Sequence, residues 1–147
     1  MPCVTPLGYP AEKMSLREAM MRKGAKADSR AAFESLFFDG DFLTPLTEVK
    51  AGVLRDALEC VRLAPSAVNR QPWRVLVSEG AAYFYKKGSK GFANEHVGDL
   101  QKVDLGIALC HFSLCAQEQG LHLRFTLDAP PKSAPAGLEF IAGYALS

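Results

Sequence analysis

At 147 residues, with 48% hydrophobic and 22% charged side chains, the chain has the size and composition of one globular unit with a real core, which excludes disordered and fibrous classes. A formal net charge of +1 argues against a nucleic-acid surface spread over the whole protein. Residues 1–10 carry neither a basic start nor an apolar run, and the most apolar segment, Val103 to Ala116, is interrupted by Asp104 and His111 and is too short for a bilayer. A soluble, cytoplasmic protein with no nucleic-acid or membrane partner is therefore expected.

In chain order, Val4 to Pro10 reads as the tail of a strand entering a turn. Ser15-Leu-Arg-Glu18 has the capping-box pattern and Gly24 is a natural stop, predicting a short helix between them. A second short helix comes next, capped by Asp28 or Ser29, with Phe33, Leu36 and Phe37 on its buried face; Asp39-Gly-Asp41 breaks it. Thr44-Pro45 opens a longer helix with a cap and a proline in its first turn. Leu46, Val49, Val53, Leu54, Ala57, Leu58 and Val61 recur at helical spacing and predict one buried face, and Pro65 ends the helix near Leu63.

Trp73 to Ser78 alternates as a strand, Glu79-Gly80 turns, and Ala82 to Lys86 returns as the second arm of a hairpin. Lys87 to Gly98 is a polar, glycine-rich loop. From about Asp99 to Gln119 runs the longest helix, closed by Gly120 and apolar on more than one face, so it must be buried in the core or against a partner. Leu121 to Leu127 and Leu138 to Leu146 are strand-like, separated by a proline-rich loop. This order predicts an α+β fold with mostly antiparallel neighbours. Pro6-Leu-Gly-Tyr9 and Ile141-Ala-Gly-Tyr144 form a weak internal echo, each at the end of a predicted strand. The cysteines, Cys3, Cys60, Cys110 and Cys115, form no C-x-x-C pair, so no zinc knuckle or disulfide framework is suggested and buried reduced thiols are expected.

The densest chemistry lies in Ala64 to Arg74, APSAVNRQPWR. Ser66, Asn69 and Gln71 bring one hydroxyl and two primary amides, which donate and accept together. Pro65 and Pro72 stiffen the segment and Trp73 anchors it. Neutral amides on a stiff loop suit the edge of a planar heterocycle such as isoalloxazine; a tightly packed helix-to-strand connection with self-satisfied amides would look the same.

This segment resembles the P-S-x-x-N-x-Q-P-W motif of nitroreductase-like flavoproteins. Val103-Asp-Leu-Gly-Ile-Ala and Leu114-Cys-Ala-Gln-Glu-Gln-Gly-Leu121 resemble that family's central helix, and Phe140-Ile-Ala-Gly-Tyr144 its closing strand. The resemblance implies an FMN-binding α+β fold that reduces small acceptors, nitroaromatic or quinone-like, with electrons from NAD(P)H, the flavin carrying the redox chemistry. Carried over by position, Pro65, Ser66 and Asn69 contact FMN, Gln71 supports the loop, and Trp73 belongs to the core. No acid, base or nucleophile is implied.

One part departs from the family pattern. The arginine-rich segment that grips the phosphate is missing before the Thr44 helix. Leu7 to Phe38 instead resembles the stretch beyond the family's last strand, a G-Y-P turn and then Arg30-Ala-Ala-Phe-Glu34-Ser-Leu-Phe37. Residues 1–43 thus resemble the remnant of a preceding unit, and residues 44–147 a nitroreductase-like domain, as in the tandem branch where one polypeptide supplies both halves of the usual dimer. Arg30 and Lys26 become candidates for the phosphate grip, with a solvated basic helix end as the alternative. Lys86-Lys-Gly-Ser-Lys90 reads better as a hairpin-end loop than as a phosphate cradle, and His111 better as a core or interface histidine than as a partner for Cys110. The expectations are an FMN-dependent oxidoreductase acting as a homodimer or with a missing N-terminal half, or else a non-catalytic flavin-binding or assembly module.

Overall fold

The computed structural model describes residues 8–9, 12–94, 98–128, 130 and 133–147. Most of the strand tail expected from Val4, half of the first Gly-Tyr echo (Pro6 and Leu7), and Cys3 lie outside the described residues. Helix α1 spans Leu16–Gly24, and the Ser15 hydroxyl accepts from the Glu18 N–H at 3.2 Å, as the capping pattern requires. None of its residues is buried, and Leu16, Met20 and Met21 stand exposed.

The next element is shorter than its pattern suggests. Helix α2 is one turn, Phe33–Leu36, preceded by Ala32 rather than capped by Asp28 or Ser29. The chain then passes directly into strand β1, Phe37–Asp39. Phe33, Leu36 and Phe37 are buried as expected, but Phe37 is buried as a strand residue.

The long helix expected from Thr44-Pro45 is broken into pieces. Pro45 instead bridges Phe38 in antiparallel fashion. The working cap is Thr47, whose Oγ1 accepts from the Lys50 N–H at 3.3 Å, and helix α3 covers only Glu48–Ala51. Gly52 comes next at φ 54°, ψ −127°, a conformation essentially reserved for glycine. It redirects the chain through a 3₁₀ turn, Gly52–Leu54, into helix α4, Arg55–Leu63. The break rotates Val49 and Val53 outward, to 91% and 62% exposure, while Leu46, Leu54, Ala57, Leu58 and Val61 keep their core positions.

After a second 3₁₀ turn at Ala67–Asn69, strands β2 (Trp73–Ser78) and β3 (Ala81–Lys87) form the expected hairpin. Glu79 and Gly80 both have positive φ (51° and 73°), matching the right-handed twist of the arms. Short strands β4 (Ala93–Asn94) and β5 (Gly98–Asp99) pair within the loop beyond β3. Helix α5 runs Leu100–Glu118, succeeded by β6 (Leu123–Thr126) and β7 (Leu138–Leu146). The main sheet has the order β1-β2-β3-β7-β6; β1 and β2 are parallel and the other pairs antiparallel. The fold is α+β, as expected.

One face of this sheet, carrying Trp73, Val75, Ala82 and Phe84, packs on α4 and α5 to make the core. Gly143 on β7 lies close against β3: a Cβ there would sit 3.0 Å from the Ala82 carbonyl oxygen and 3.2 Å from the Tyr83 ring. In α5, Gln101, Asp104, Leu105, Ala108, Phe112 and Ala116 form a buried stripe at helical spacing. The other side leaves Leu100, Val103 and Leu114 exposed. The thiols also differ from expectation: Cys110 is exposed, and Cys60 and Cys115 are half-buried. Burial and the Cys60 sulfur push the Cys115 thiol up to about 11. No helix among the described residues is long and apolar enough to cross a membrane.

Candidate functional site

The segment after α4 holds an unusual backbone. Val68, Asn69 and Gln71 have φ values of 51°, 54° and 48°. Left-handed conformation is a genuine outlier for a β-branched residue such as Val68, and strain of this kind collects at functional sites. Three side chains hold it. The Asp104 carboxylate accepts from the Ala67 N–H at 3.0 Å, the Ser66 hydroxyl accepts from the Gln71 N–H at 2.9 Å, and Gln71 Oε1 accepts from the Ala31 N–H at 2.9 Å. Gln71 is buried, and its Nε2 donates to the Asn69 carbonyl and Oδ1. Asp104 is 3% exposed with one oxygen unpartnered, and burial pushes its pKa up against the opposing Ala67 hydrogen bond.

Asn69 joins this loop to the segment after α1. Its Nδ2 donates to the carbonyls of Lys26 (2.7 Å) and Ser29 (2.9 Å), and its Oδ1 accepts from Arg30 (3.3 Å) and Gln71 (3.2 Å). Arg30 is similarly committed, donating to the carbonyls of Ala27, Ser29 and Leu63. Lys26 is exposed, and its ammonium has no partner among the described residues.

Two open clefts meet here, of about 490 and 410 Å³, each within the usual range of ligand pockets, roughly 300–1,000 Å³. They share Ala25, Arg30, Val68 and Asn69, so they adjoin one another. The larger is edged by Lys26, Arg30 and Arg70, and among the described residues no acidic side chain lines it. The smaller is walled mainly by Met21, Ala25, Ala27, Pro65 and Val68, and Arg22, Arg30, Ser66 and Asn69 also line it. Lys26, Arg30, Pro65, Ser66, Asn69 and Gln71, far apart in sequence, all line one or both. Arg70 and Val68 belong to the same walls, but they occupy the unspecified x positions of the motif, so the sequence does not mark them. Arg70 also lies over the Phe92 ring, 5.6 Å from its centroid.

The other candidates are elsewhere. Lys86 is buried and ion-paired with Asp99 and Glu139, and in the loop beyond it the Lys87 and Ser89 N–H groups donate to the Pro72 carbonyl and to Gln101 Oε1. Burial, the largest influence on Lys86, opposes its charge, and the two carboxylates more than restore it. Trp73 is wholly buried in the core. Among the described residues no cluster of three or more His, Cys, Asp or Glu side chains could hold a metal ion.

An α+β sheet backed by paired helices, with a strained P-S-x-x-N-x-Q-P-W loop opening on a cleft, defines a nitroreductase-like protein. Residues 1–116 match the family described as "Putative TM nitroreductase", and the chain belongs to that family. It is similar to the crystal structure of a "putative nitroreductase" from Thermotoga maritima, at 22% identity and a TM-score of 0.49, over 80% of this chain and 41% of that one. The chain thus spans less than half the length of that relative. No curated protein matches it.

Proposed function

We propose that the chain is the FMN-binding part of an NAD(P)H-dependent oxidoreductase of nitroreductase type, acting on a small nitroaromatic or quinone-like acceptor. The observation that carries this reading is the polarity of the two adjoining clefts. An apolar trough suits a flat ring and a cationic basin suits an anionic tail, and FMN has both. The donor set fits. The Ser66 hydroxyl accepts from Gln71 and keeps its own hydrogen for a ring acceptor, while Pro65 and Val68 offer apolar surface. Lys26 has an ammonium unpartnered among the described residues for the phosphate, supported by Arg70 and by the position of Arg30 at the junction. When bound, the flavin supplies hydride chemistry. The residues of this chain bind it, orient it and screen one side of it from water.

The experiment is a titration of FMN against riboflavin, which lacks the phosphate. FMN is expected to bind at least about tenfold more tightly, the size of one well-placed ion pair. Equal affinities would remove the phosphate assignment.

A second reading, a non-catalytic flavin-binding or assembly module, is favoured by one observation. Both polar ends of the Asn69 amide are consumed within the protein, so this motif residue staples two segments rather than offering itself to a ring. Turnover of NAD(P)H by flavin-loaded protein separates the two readings.

We further propose that residues 1–43 are the remnant of a preceding unit and that α5 packs against a second copy, or against a supplied N-terminal half. The exposed Leu100, Val103 and Leu114 support the packing proposed for α5.

A further inference from the structure

The face of the main sheet turned away from α4 and α5 carries a second arrangement of charge and aromatic surface. Arg74 on β2 pairs with Tyr85 on β3, which pairs with Phe140 on β7. Alternation places Lys87, two residues beyond Tyr85, on that same face. Phe42 packs edge-on against Tyr85 with ring centroids 4.9 Å apart, and Phe38 lies 5.3 Å from Phe42. Phe38, Phe42, Arg74 and Lys87 border a cleft of about 360 Å³ that Pro135 to Leu138 also line.

Its electrostatics are unbalanced. Arg74 Nη1 donates to the carbonyls of Gln71 and Trp73, which fixes the guanidinium, while Nε and Nη2 have no acceptor among the described residues and neither is sealed from solvent. That leaves the edge of the guanidinium that grips a carboxylate through two parallel hydrogen bonds. Lys87 has no ion-pair partner among the described residues. Glu139, on β7, is taken by Lys86 and Lys102. Asp41, in the adjoining cleft, accepts from the N–H groups of Leu43 and Thr44. Burial lowers the Arg74 pKa, and no acid among the described residues opposes it.

We propose that this cleft binds a small aromatic carboxylate, with the carboxylate held by Arg74 and Lys87 and the ring set against Phe38 and Phe42. A half-buried guanidinium with its bidentate edge free calls for a planar anion. The rings call for an apolar, flat body. A volume near the lower end of the range for ligand sites, roughly 300–1,000 Å³, limits that body to about one ring. The site is separate from the flavin clefts, sharing no lining residue with them, and it stands whether or not flavin binds.

The test is titration of the full chain with benzoate, benzamide and acetate, monitored by backbone amide NMR shifts. Benzoate is expected to saturate, with shifts centred on Phe42, Arg74, Lys87 and Gly137. The neutral benzamide and the ringless acetate should each bind at least about tenfold more weakly. Lys87→Gln should weaken benzoate at least about threefold, and Arg74→Gln about tenfold or more. Should Arg74→Gln fail to fold for want of its bonds to Gln71 and Trp73, Lys87→Gln and the benzamide comparison decide. Benzamide or acetate equalling benzoate, shifts centred elsewhere, or a Lys87→Gln variant of unchanged affinity would each overturn the proposal.

Discussion

Asp104 is the residue whose ionisation the fold most directly opposes. Burial raises its pKa above the ordinary aspartate value of 3.8, while one oxygen must still accept from the Ala67 N–H. For a carboxyl group raised in the folded state, the folded chain binds more protons than the unfolded one between the two pKa values. Stability therefore falls as pH rises from near 3.8 towards the folded value, then levels off. Asp99 and Glu139 are shifted down by their lysine partners, with burial opposing them, so their contribution is lost only as pH falls below their ordinary range. Asp104→Asn keeps an acceptor for Ala67 and should remove the decline above about pH 4. Urea midpoints of both proteins between about pH 4 and 7 check this, and parallel curves would contradict it. Val68 offers a second test, since it is 62% exposed at φ 51°. Val68→Gly relieves about 1–2 kcal/mol of left-handed strain against about 0.5–1 kcal/mol of added chain entropy. Its melting temperature should rise slightly, and a clear fall would show that Val68 is held by contacts stronger than the strain. The motif and the Ser15 cap are legible in the sequence because each depends on neighbours a few residues away. The committed hydrogen bonds of Asn69 are not, because most of their partners lie about forty residues upstream.

The same division between local and distant causes governs the elements. The Trp73 hairpin, α5 and the closing strand emerge from periodicity, whereas β1 does not. Three residues, Phe37–Asp39, become a strand only because β2 lies beside them. The break between α3 and α4 is hidden for a different reason: periodic apolar spacing continues straight through Gly52, and only its φ/ψ reveals the turn. Gly52→Ala should therefore destabilise the protein by about 1–3 kcal/mol, although open space surrounds the position. Chemical denaturation measures it; a stabilised variant, with α3 and α4 fused into one helix, would count against a glycine-only turn. Gly143→Ala should also destabilise, through contact with the Ala82 carbonyl rather than through its φ.

At the scale of the whole molecule, α5 is half explained by the core it covers. Its buried stripe faces the sheet, and Leu100, Val103 and Leu114 face outward at 49%, 58% and 57% exposure. If that side meets a second copy, sedimentation equilibrium at micromolar concentration should show a dimer, and Val103→Glu with Leu114→Lys should convert it to monomer. A monomeric wild type would withdraw the interface. The central claim, that the two adjoining clefts hold FMN with its phosphate by Lys26 and Arg70, is tested most directly by FMN fluorescence quenching in the wild type and in Lys26→Ala. Lys26 is the cleaner position than Arg30, because its ammonium supports no other part of the fold among the described residues while the Arg30 guanidinium carries several carbonyl bonds. Saturable quenching by the wild type is expected, with Lys26→Ala weakening FMN at least about threefold and leaving riboflavin unchanged. No saturable binding, or an equal loss for both ligands, would contradict the claim.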